Sequence, residues 1–131
     1  MISYLDTSAA MKLLVDEPES DLLAEYLQSP VDGGRRLIAS WLLHTELHCA
    51  ANLHPDAVHA DSVAIVLDTV SLIDLNRGDL LTAGTLPGGL RSHDAVHLAI
   101  ALRAGADEMV SYDSELIAAA EAAGLTAVTP A

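Results

Sequence analysis

The segment ISYLDTSAAMKLLV, residues 2–15, decides the fold class of this chain. Its first residues form a short apolar run that is typical of a buried strand, and Asp6 follows that run directly. Thr7 and Ser8 then open an apolar stretch with helical spacing, and Ser8 is the predicted N-cap of that helix. A strand that ends at an acid and passes into a helix is the first half of a βαβ unit.

The same alternation of strand and helix continues to the end of the chain. Predicted strands cover residues 2–5, 36–40, 70–75, 108–111 and 126–128. Predicted helices cover residues 7–15, 19–27, 41–52, 55–68, 77–85, 92–103 and 114–123. Such alternation favours right-handed crossovers between parallel strands, with helices on both faces of the sheet. We therefore expect one three-layer α/β/α domain over residues 1–131, with a central and mainly parallel sheet.

Composition and charge narrow the possible functions. The chain has 131 residues, of which 51% are hydrophobic, with three Tyr, one Trp and no Phe, so aliphatic side chains must build the core. It carries 19 acidic residues against 6 Lys and Arg, a net charge of −13. This balance argues against broad electrostatic attraction to a phosphate backbone. It favours a basic protein partner, or a function carried by clustered acids.

Other global features point to a soluble cytoplasmic protein. No apolar run approaches the roughly 20 residues that a membrane helix requires, and the N-terminus lacks the basic region of a secretory signal. The single cysteine, Cys49, excludes an internal disulfide framework. Because it lies in an apolar helical stretch, we expect Cys49 to be buried as a small hydrophobic side chain.

Two acids stand where predicted strands pass into helices. Asp6 in LDTSA and Asp113 in SYDSE both follow an apolar run and precede a hydroxyl residue. The carboxyl ends of strands are where open α/β sheets collect their functional groups. A helix N-terminus also favours an ionised carboxylate. N-capping alone would explain either residue equally well.

Two further acids lie within predicted helices. Glu46 is one turn from Leu42, Leu43 and Ala50, which indicates that it follows the buried face of its helix. A buried carboxylate without a partner is costly, so it needs a cation or a hydrogen-bond donor. The alternative is a partly exposed acid at the edge of the apolar stripe.

Asp94 belongs to the helix that is most clearly marked in the sequence. In SHDAVHLAIA, residues 92–101, Asp94 and His97 share one helical face with Leu98 and Ala101, which have the character of core residues. Ser92 is the predicted N-cap, which places Asp94 in the first turn near the positive end of the helix dipole.

Four carboxylates on separate elements predict a site for Mg²⁺ or Mn²⁺, because these hard cations prefer oxygen ligands. A bound cation can activate water and neutralise charge on a phosphodiester. It also reverses the sign of the pocket, so that an acidic protein can hold a phosphate group. The predicted site consists of Asp6, Glu46, Asp94 and Asp113.

At these residues the chain resembles the PIN-domain nucleases, and within them the VapC-type toxins of bacterial toxin–antitoxin pairs. The resemblance is carried by YLDTSAAMKLL, LLHTEL, LRSHDAVHLAIAL and VSYDSEL, in that order, from residue 2 to about residue 120. It implies that the four acids surround a catalytic Mg²⁺ or Mn²⁺ and that Thr7 or Ser8 supports the first of them. It further implies cleavage of structured RNA such as tRNA or rRNA, a VapB-like antitoxin with a basic tail, and a homodimer.

Basic residues near the acids are candidate contacts for RNA or the antitoxin. Arg91 precedes the helix of Asp94, and His93 stands directly before that acid, where the resembling toxins often have an apolar residue. Lys12 and the pair Arg35–Arg36 are the other candidates. Ordinary solvent exposure is the alternative for each of them.

The remaining histidines are assigned structural roles. His97 is predicted to be a hydrogen-bonded helix residue rather than a catalyst. His44 and His48 have an i, i+4 spacing that suits zinc, but the sequence offers no convincing third ligand.

Three other classes of function are alternatives to the nuclease. A receiver-like phosphoacceptor domain needs adjacent acids after the first strand and a late lysine, whereas Asp6 stands alone and the only lysine is Lys12. A phosphatase of the haloacid dehalogenase type needs an acid where Ser8 stands. A PIN fold that binds without cleaving is the remaining alternative, and the presence of all four acids argues against it.

Overall fold

The structure, a computed structural model, describes residues 1–131. Its strands are β1 (Ile2–Leu5), β2 (Arg36–Ser40), β3 (Ser71–Ile73), β4 (Glu108–Val110) and β5 (Thr126–Val128). Its helices are α1 (Thr7–Leu14), α2 (Ser20–Gln28), α3 (Trp41–Leu53), α4 (Ala60–Asp68), α5 (Arg77–Ala83), α6 (Ser92–Arg103) and α7 (Ser114–Ala122). All strand pairs are parallel, in the order β3-β2-β1-β4-β5.

The sheet is covered on both faces, because successive side chains of a strand point to opposite sides. Tyr4 belongs to a core cluster with residues of α5, α6 and α7. Leu5, its neighbour in β1, belongs to a second cluster with residues of α1, α2, α3 and α4. The predicted three-layer α/β/α architecture is therefore confirmed, and its sheet is entirely parallel.

Helix α6 runs through the interior. Its residues 94–101 are all buried, and Leu98 and Ala101 are in the core as predicted. A helix that is buried along this length has no water to satisfy its polar side chains. Asp94 and His97, which lie in that segment, must therefore find partners within the protein.

The strand order places a switch point of the sheet beside β1. β1 is central; the chain first adds β2 and β3 on one side of it and then crosses over to add β4 and β5 on the other. In open α/β sheets, the crevice at such a switch point, beyond the carboxyl ends of the strands, is the usual binding site. Asp6 follows β1 there, and its backbone N–H donates to the carbonyl of Val110 in β4.

Two predicted N-caps are wrong. Asp6, not Ser8, caps α1, because Asp6 has the extended backbone of a cap and its side chain accepts from the N–H of Ala9. Ser8 lies inside the first turn instead. At α6 the cap position is Arg91, which makes no side-chain capping bond, and Ser92 is already helical.

Two other predictions need correction. The fourth helix begins at Ala60 rather than Pro55, because the N–H groups of Ala57 and Val58 both bond to the carbonyl of His54 and close a separate turn. Cys49 is exposed rather than buried. The buried face of α3 is formed by residues at a spacing of four, Leu43, Leu47 and Ala51, and Cys49 lies on the other side.

No helix in this structure is both long enough and apolar enough to cross a membrane.

Candidate active site

Asp6 is buried at the carboxyl end of β1, with 2% of its surface exposed. Its Oδ1 accepts hydrogen bonds from the N–H of Ala9 (2.9 Å) and the hydroxyl of Ser8 (2.8 Å). Its Oδ2 accepts from Ser111 (2.7 Å) and from Ser8 (3.0 Å). Burial raises the pKa of Asp6, and these hydrogen bonds only partly oppose the rise. The carboxylate is thus well held, but no cationic side chain pairs with it.

Ser111 is a residue of the site that the sequence analysis missed. It is fully buried after β4, donates to Asp6, and accepts the N–H of Asp113 at 3.1 Å. Ser8 makes a similar link, because its hydroxyl accepts the N–H of Tyr112 at 2.9 Å while it donates to Asp6. The available signal was a serine that follows the apolar pair Met109 and Val110 at the carboxyl end of a predicted strand.

Glu46 projects from α3 toward the same region, with 21% of its side chain exposed. Its Oε1 accepts from the hydroxyl of Thr7 (2.9 Å) and lies 2.6 Å from Nε2 of His97. Its Oε2 has no hydrogen-bond partner in the protein. Burial raises the pKa of Glu46, but the hydrogen bonds from His97 and Thr7 outweigh it, so the pKa is lower than the ordinary value. Glu46 is therefore an ionised carboxylate with one free oxygen.

Asp94 and Asp113 are joined by Arg91. Nε of Arg91 lies 3.4 Å from Oδ2 of Asp94, and Nη2 lies 3.4 Å from Oδ2 of Asp113. Asp94 is nearly buried, whereas 66% of the Arg91 side chain is exposed. Asp113 is also a true N-cap, since its Oδ1 accepts the N–H groups of Glu115 and Leu116 at 3.0 Å. The capping explanation for Asp113 is thus correct, and it leaves Oδ2 facing Arg91.

A chain of contacts therefore connects the four predicted acids. Thr7, next to Asp6 in sequence, bonds to Glu46; Ser111 links Asp6 to the backbone of Asp113; Arg91 links the two remaining acids. No group of three or more His, Cys, Asp or Glu side chains lies close enough to form a complete metal cage. The four acids and the hydroxyls of Thr7, Ser8 and Ser111 nevertheless supply oxygen donors, which Mg²⁺ and Mn²⁺ prefer.

Of the residues predicted to contact RNA or the antitoxin, some lie beside the four acids and others do not. His93 borders the acids, with Nε2 at 3.5 Å from Oδ1 of Asp94. Lys12 is only 14% exposed; it pairs with Glu17 and Glu19 and lies over the ring of Tyr112. It is thus engaged with other residues rather than with the four acids.

The remaining basic and histidine candidates lie elsewhere. Arg35 is buried at the opposite end of the sheet, where it bonds to Ser3 and pairs with Glu108, so its assignment as a surface contact is wrong. Arg36 is exposed at the start of β2. The rings of His44 and His48 contact each other on α3, with centroids 4.4 Å apart and planes tilted by 53°, and no third ligand joins them.

Comparison with known proteins identifies the family of this chain. The chain matches the PIN domain family over residues 3–126. It belongs to the PIN-domain family. Ribonuclease VapC35 of Mycobacterium tuberculosis is 38% identical over 133 residues, which cover 97% of this chain and 96% of that protein. The predicted family and the predicted class of enzyme, a ribonuclease, are confirmed.

Solved structures share the fold at lower identity. VapBC2 from Rickettsia felis, bound to a DNA fragment from its promoter, superposes with a TM-score of 0.73 at 16% identity, covering 98% of both chains. VapC20 of Mycobacterium tuberculosis, described as a toxin that cleaves the sarcin-ricin loop, superposes with a TM-score of 0.70 at 15% identity, covering 98% of this chain and 99% of that one. At these identities the likeness concerns the fold.

Proposed function

We propose that this PIN-domain ribonuclease is a metal-dependent endonuclease and the toxin of a type II toxin–antitoxin pair. Its catalytic, metal-binding acids are Asp6, Glu46, Asp94 and Asp113, with Thr7 and Ser8 as supporting residues. The cation is Mg²⁺ or Mn²⁺, the substrate is a structured RNA, and the protein acts in the cytoplasm.

The observation that carries the proposal is the buried carboxylate of Asp6 at the switch point of the sheet. It accepts hydrogen bonds from three neutral donors, the N–H of Ala9 and the hydroxyls of Ser8 and Ser111, and pairs with no cationic side chain. Burial raises its pKa, so the ionised form lacks full compensation. A divalent cation near Oδ2 would supply that compensation.

The rest of the donor set fits such a cation. Mg²⁺ in proteins typically takes one or two carboxylates directly and keeps waters or substrate phosphates for its other positions. Asp6 and Glu46, whose Oε2 is free, would hold the ion, with Asp94 and Asp113 completing the acidic surround. When bound, the cation stabilises negative charge on the phosphodiester as a Lewis acid. The hydroxyls of Ser8, Ser111 and Thr7 keep the carboxylates oriented.

An open cleft beside the acids suits an RNA strand. It has a volume of about 500 Å³ and is lined by Arg91, Tyr112, Asp113, Ser114 and Glu115. Arg91, the exposed cation of this cleft, is the proposed phosphate contact, and His93 borders the same region. The cleft accepts RNA whose cleavage site protrudes in a loop, as in tRNA or rRNA. The description of VapC20 as a sarcin-ricin loop-cleaving toxin supports this class of substrate.

The proposed partner is a VapB-like antitoxin with a basic tail. The net charge of −13 and the acidic site would attract such a tail. A toxin–antitoxin complex from Klebsiella pneumoniae contains a chain with the same fold. We extend the proposal to a homodimer, on the family resemblance. A short reading frame for a basic-tailed protein directly upstream of the gene would support it.

The decisive experiment compares Asp94→Asn with Asp61→Asn. Asp94 is nearly buried in the first turn of α6, whereas Asp61 is exposed in the first turn of α4. Cleavage of total tRNA and rRNA is measured with Mg²⁺, with Mn²⁺ and with EDTA. We expect Asp94→Asn and EDTA to abolish cleavage, and Asp61→Asn to leave it unchanged.

Full cleavage by Asp94→Asn, or in EDTA, would refute the proposed mechanism. RNA binding without cleavage by the wild type under all conditions would favour the alternative of a non-cleaving binding module. Asp94→Asn changes little side-chain volume, so we expect the variant to fold. Its circular dichroism spectrum shows whether a loss of cleavage reflects a loss of fold.

A further inference from the structure

A buried hydrogen-bond network leads from the core of the protein to Glu46. The hydroxyl of Tyr4 lies 2.7 Å from Nδ1 of His97, and both residues are fully buried. On its other side the imidazole presents Nε2 to Oε1 of Glu46 at 2.6 Å. The same hydroxyl of Tyr4 accepts the backbone N–H of Ser40 at 3.2 Å. Residues of four elements, β1, β2, α3 and α6, thus belong to one hydrogen-bond network.

The directions of these hydrogen bonds determine one another. The N–H of Ser40 can only donate, so it occupies an acceptor position on the oxygen of Tyr4. The O–H of Tyr4 is then free to donate, and Nδ1 of His97 is its only acceptor within reach. Nδ1 therefore carries no proton, and the proton of the neutral imidazole is on Nε2. That N–H donates to the carboxylate of Glu46.

We propose that Tyr4 is a positioning residue of the active site, which acts through His97 to hold the carboxylate of Glu46. Tyr4 fixes the ring orientation and the tautomer of His97. His97 then holds Oε1 together with Thr7 and leaves Oε2 free for a cation. This inference rests on the proposed function, because it assigns Glu46 as a metal ligand.

The alternative arrangement of the imidazole shows why Tyr4 matters. With the proton on Nδ1, the lone pair of Nε2 would face Oε1 of Glu46 at 2.6 Å, and the two would repel each other. A flipped ring would place a carbon where Glu46 needs a donor. Outer residues that orient a ligand in this way typically change metal affinity by about 10- to 100-fold when they are replaced.

The first test reads the tautomer of His97 directly. Nitrogen-15 NMR of the histidine side chains distinguishes a protonated from an unprotonated Nδ1, and His97→Gln assigns the signal among the six histidines. We expect an unprotonated Nδ1 in the wild type and a shifted or broadened Nδ1 signal in Tyr4→Phe. A protonated Nδ1 in the wild type, or an unchanged signal in Tyr4→Phe, would overturn the inference.

The second test measures Mn²⁺ affinity by electron paramagnetic resonance. Tyr4→Phe should weaken binding about 10-fold. The matched control is Tyr26→Phe, which removes a tyrosine hydroxyl at the opposite end of the sheet. The hydroxyl of Tyr26 donates to the carboxylate of Glu108. We expect the control to bind Mn²⁺ as the wild type does. Equal affinity in Tyr4→Phe and Tyr26→Phe would overturn the inference.

A pair of substitutions at His97 keeps the test valid if Tyr4→Phe does not fold. His97→Gln retains an amide N–H that can donate to Glu46, whereas His97→Leu retains no donor. We expect His97→Gln to bind Mn²⁺ more tightly than His97→Leu, by about 10-fold. Equal Mn²⁺ affinities of His97→Gln and His97→Leu would refute the positioning role but not the proposed metal site. A wild type that binds no Mn²⁺ would instead refute the proposed metal site.

Discussion

The hydroxyl of Ser111 donates a hydrogen bond of 2.7 Å to Oδ2 of Asp6, across 105 positions of sequence. The two residues follow β4 and β1, which are neighbours in the sheet. The same hydroxyl accepts the N–H of Asp113. One buried serine therefore orients one acid of the site and secures the backbone beside another.

Ser111→Ala should lower the free energy of unfolding by about 1 to 3 kcal/mol. The substitution removes one donor from the buried carboxylate of Asp6 and leaves the N–H of Asp113 without its acceptor, and an unsatisfied buried group costs about that much. Urea denaturation measures the change. Ser114→Ala is the matched control, because Ser114 is exposed and its hydroxyl makes no hydrogen bond to the protein. A loss no greater than that of the control would contradict the prediction.

Asp6→Asn should stabilise the metal-free protein at neutral pH. Burial raises the pKa of Asp6 in the folded state above its ordinary value of 3.8, so the folded protein holds that proton more tightly than the unfolded chain. The stabilisation from this proton is complete below about pH 3.8 and is lost as the pH rises through the folded-state pKa. Asparagine carries no charge at any pH. Calorimetry should show the advantage of Asp6→Asn shrinking as the pH is lowered toward 4.

Mg²⁺ should reverse that order of stability. A cation that binds only the folded state at ten times its Kd contributes about 1.4 kcal/mol, which raises the Tm of a domain of this size by roughly 5 °C. The wild type should gain this increase, and Asp6→Asn should gain much less because it lacks the charged ligand. Equal shifts in the two proteins, measured by calorimetry in EDTA and in millimolar Mg²⁺, would show that the ion binds elsewhere.

Arg91→Gln should strengthen the binding of the metal and weaken the binding of RNA. The guanidinium lies 3.4 Å from carboxylate oxygens of both Asp94 and Asp113, so it competes with a cation for their charge. Exposed ion pairs are worth about 0.2 to 1 kcal/mol, so its loss should tighten Mn²⁺ binding by up to about 5-fold. The same loss should raise the KM for RNA, because one phosphate contact disappears.

The control for Arg91→Gln is Arg36→Gln, which removes an exposed positive charge at the start of β2. Titration calorimetry with Mn²⁺ and cleavage kinetics at two salt concentrations supply the readouts. Weaker or unchanged Mn²⁺ binding in Arg91→Gln would show that the guanidinium does not compete with the metal. An unchanged KM would show that it makes no contact with the RNA phosphates.

Much of the fold could be predicted because its signals are local. The strands Ile2–Leu5 and Thr126–Val128 and the helix Ser92–Arg103 have the predicted bounds, since apolar runs and helical spacing mark them within a few residues. Caps were harder to predict. Asp6 and Ser8 are both good capping residues, and only the backbone conformation at Asp6 decides between them.

Burial around a helix also needed the structure. Glu46 and Cys49 lie on the same apolar helix, three residues apart, yet Glu46 is half-buried beside His97 and Cys49 is exposed. Helical spacing divides the residues of α3 into faces, but the packing of α3 against α1, α4 and β2 decides which face meets the core. Sequence spacing alone cannot supply that information.

The sequence by itself determined the alternation of strands and helices, and with it the placement of Asp6 and Asp113 at strand ends. Hydrophobic periodicity and turn residues act over short distances along the chain, so strands and helices can be predicted from them without knowledge of the fold. Only the tertiary structure decided which hydroxyls and rings hold those acids. The register that pairs Leu5 with Val110 brings Asp6 beside Ser111, and the packing of α6 against β1 brings His97 to Tyr4. Hydrogen bonds require alignment to within tenths of an ångström, and that precision comes from the packed sheet rather than from local sequence.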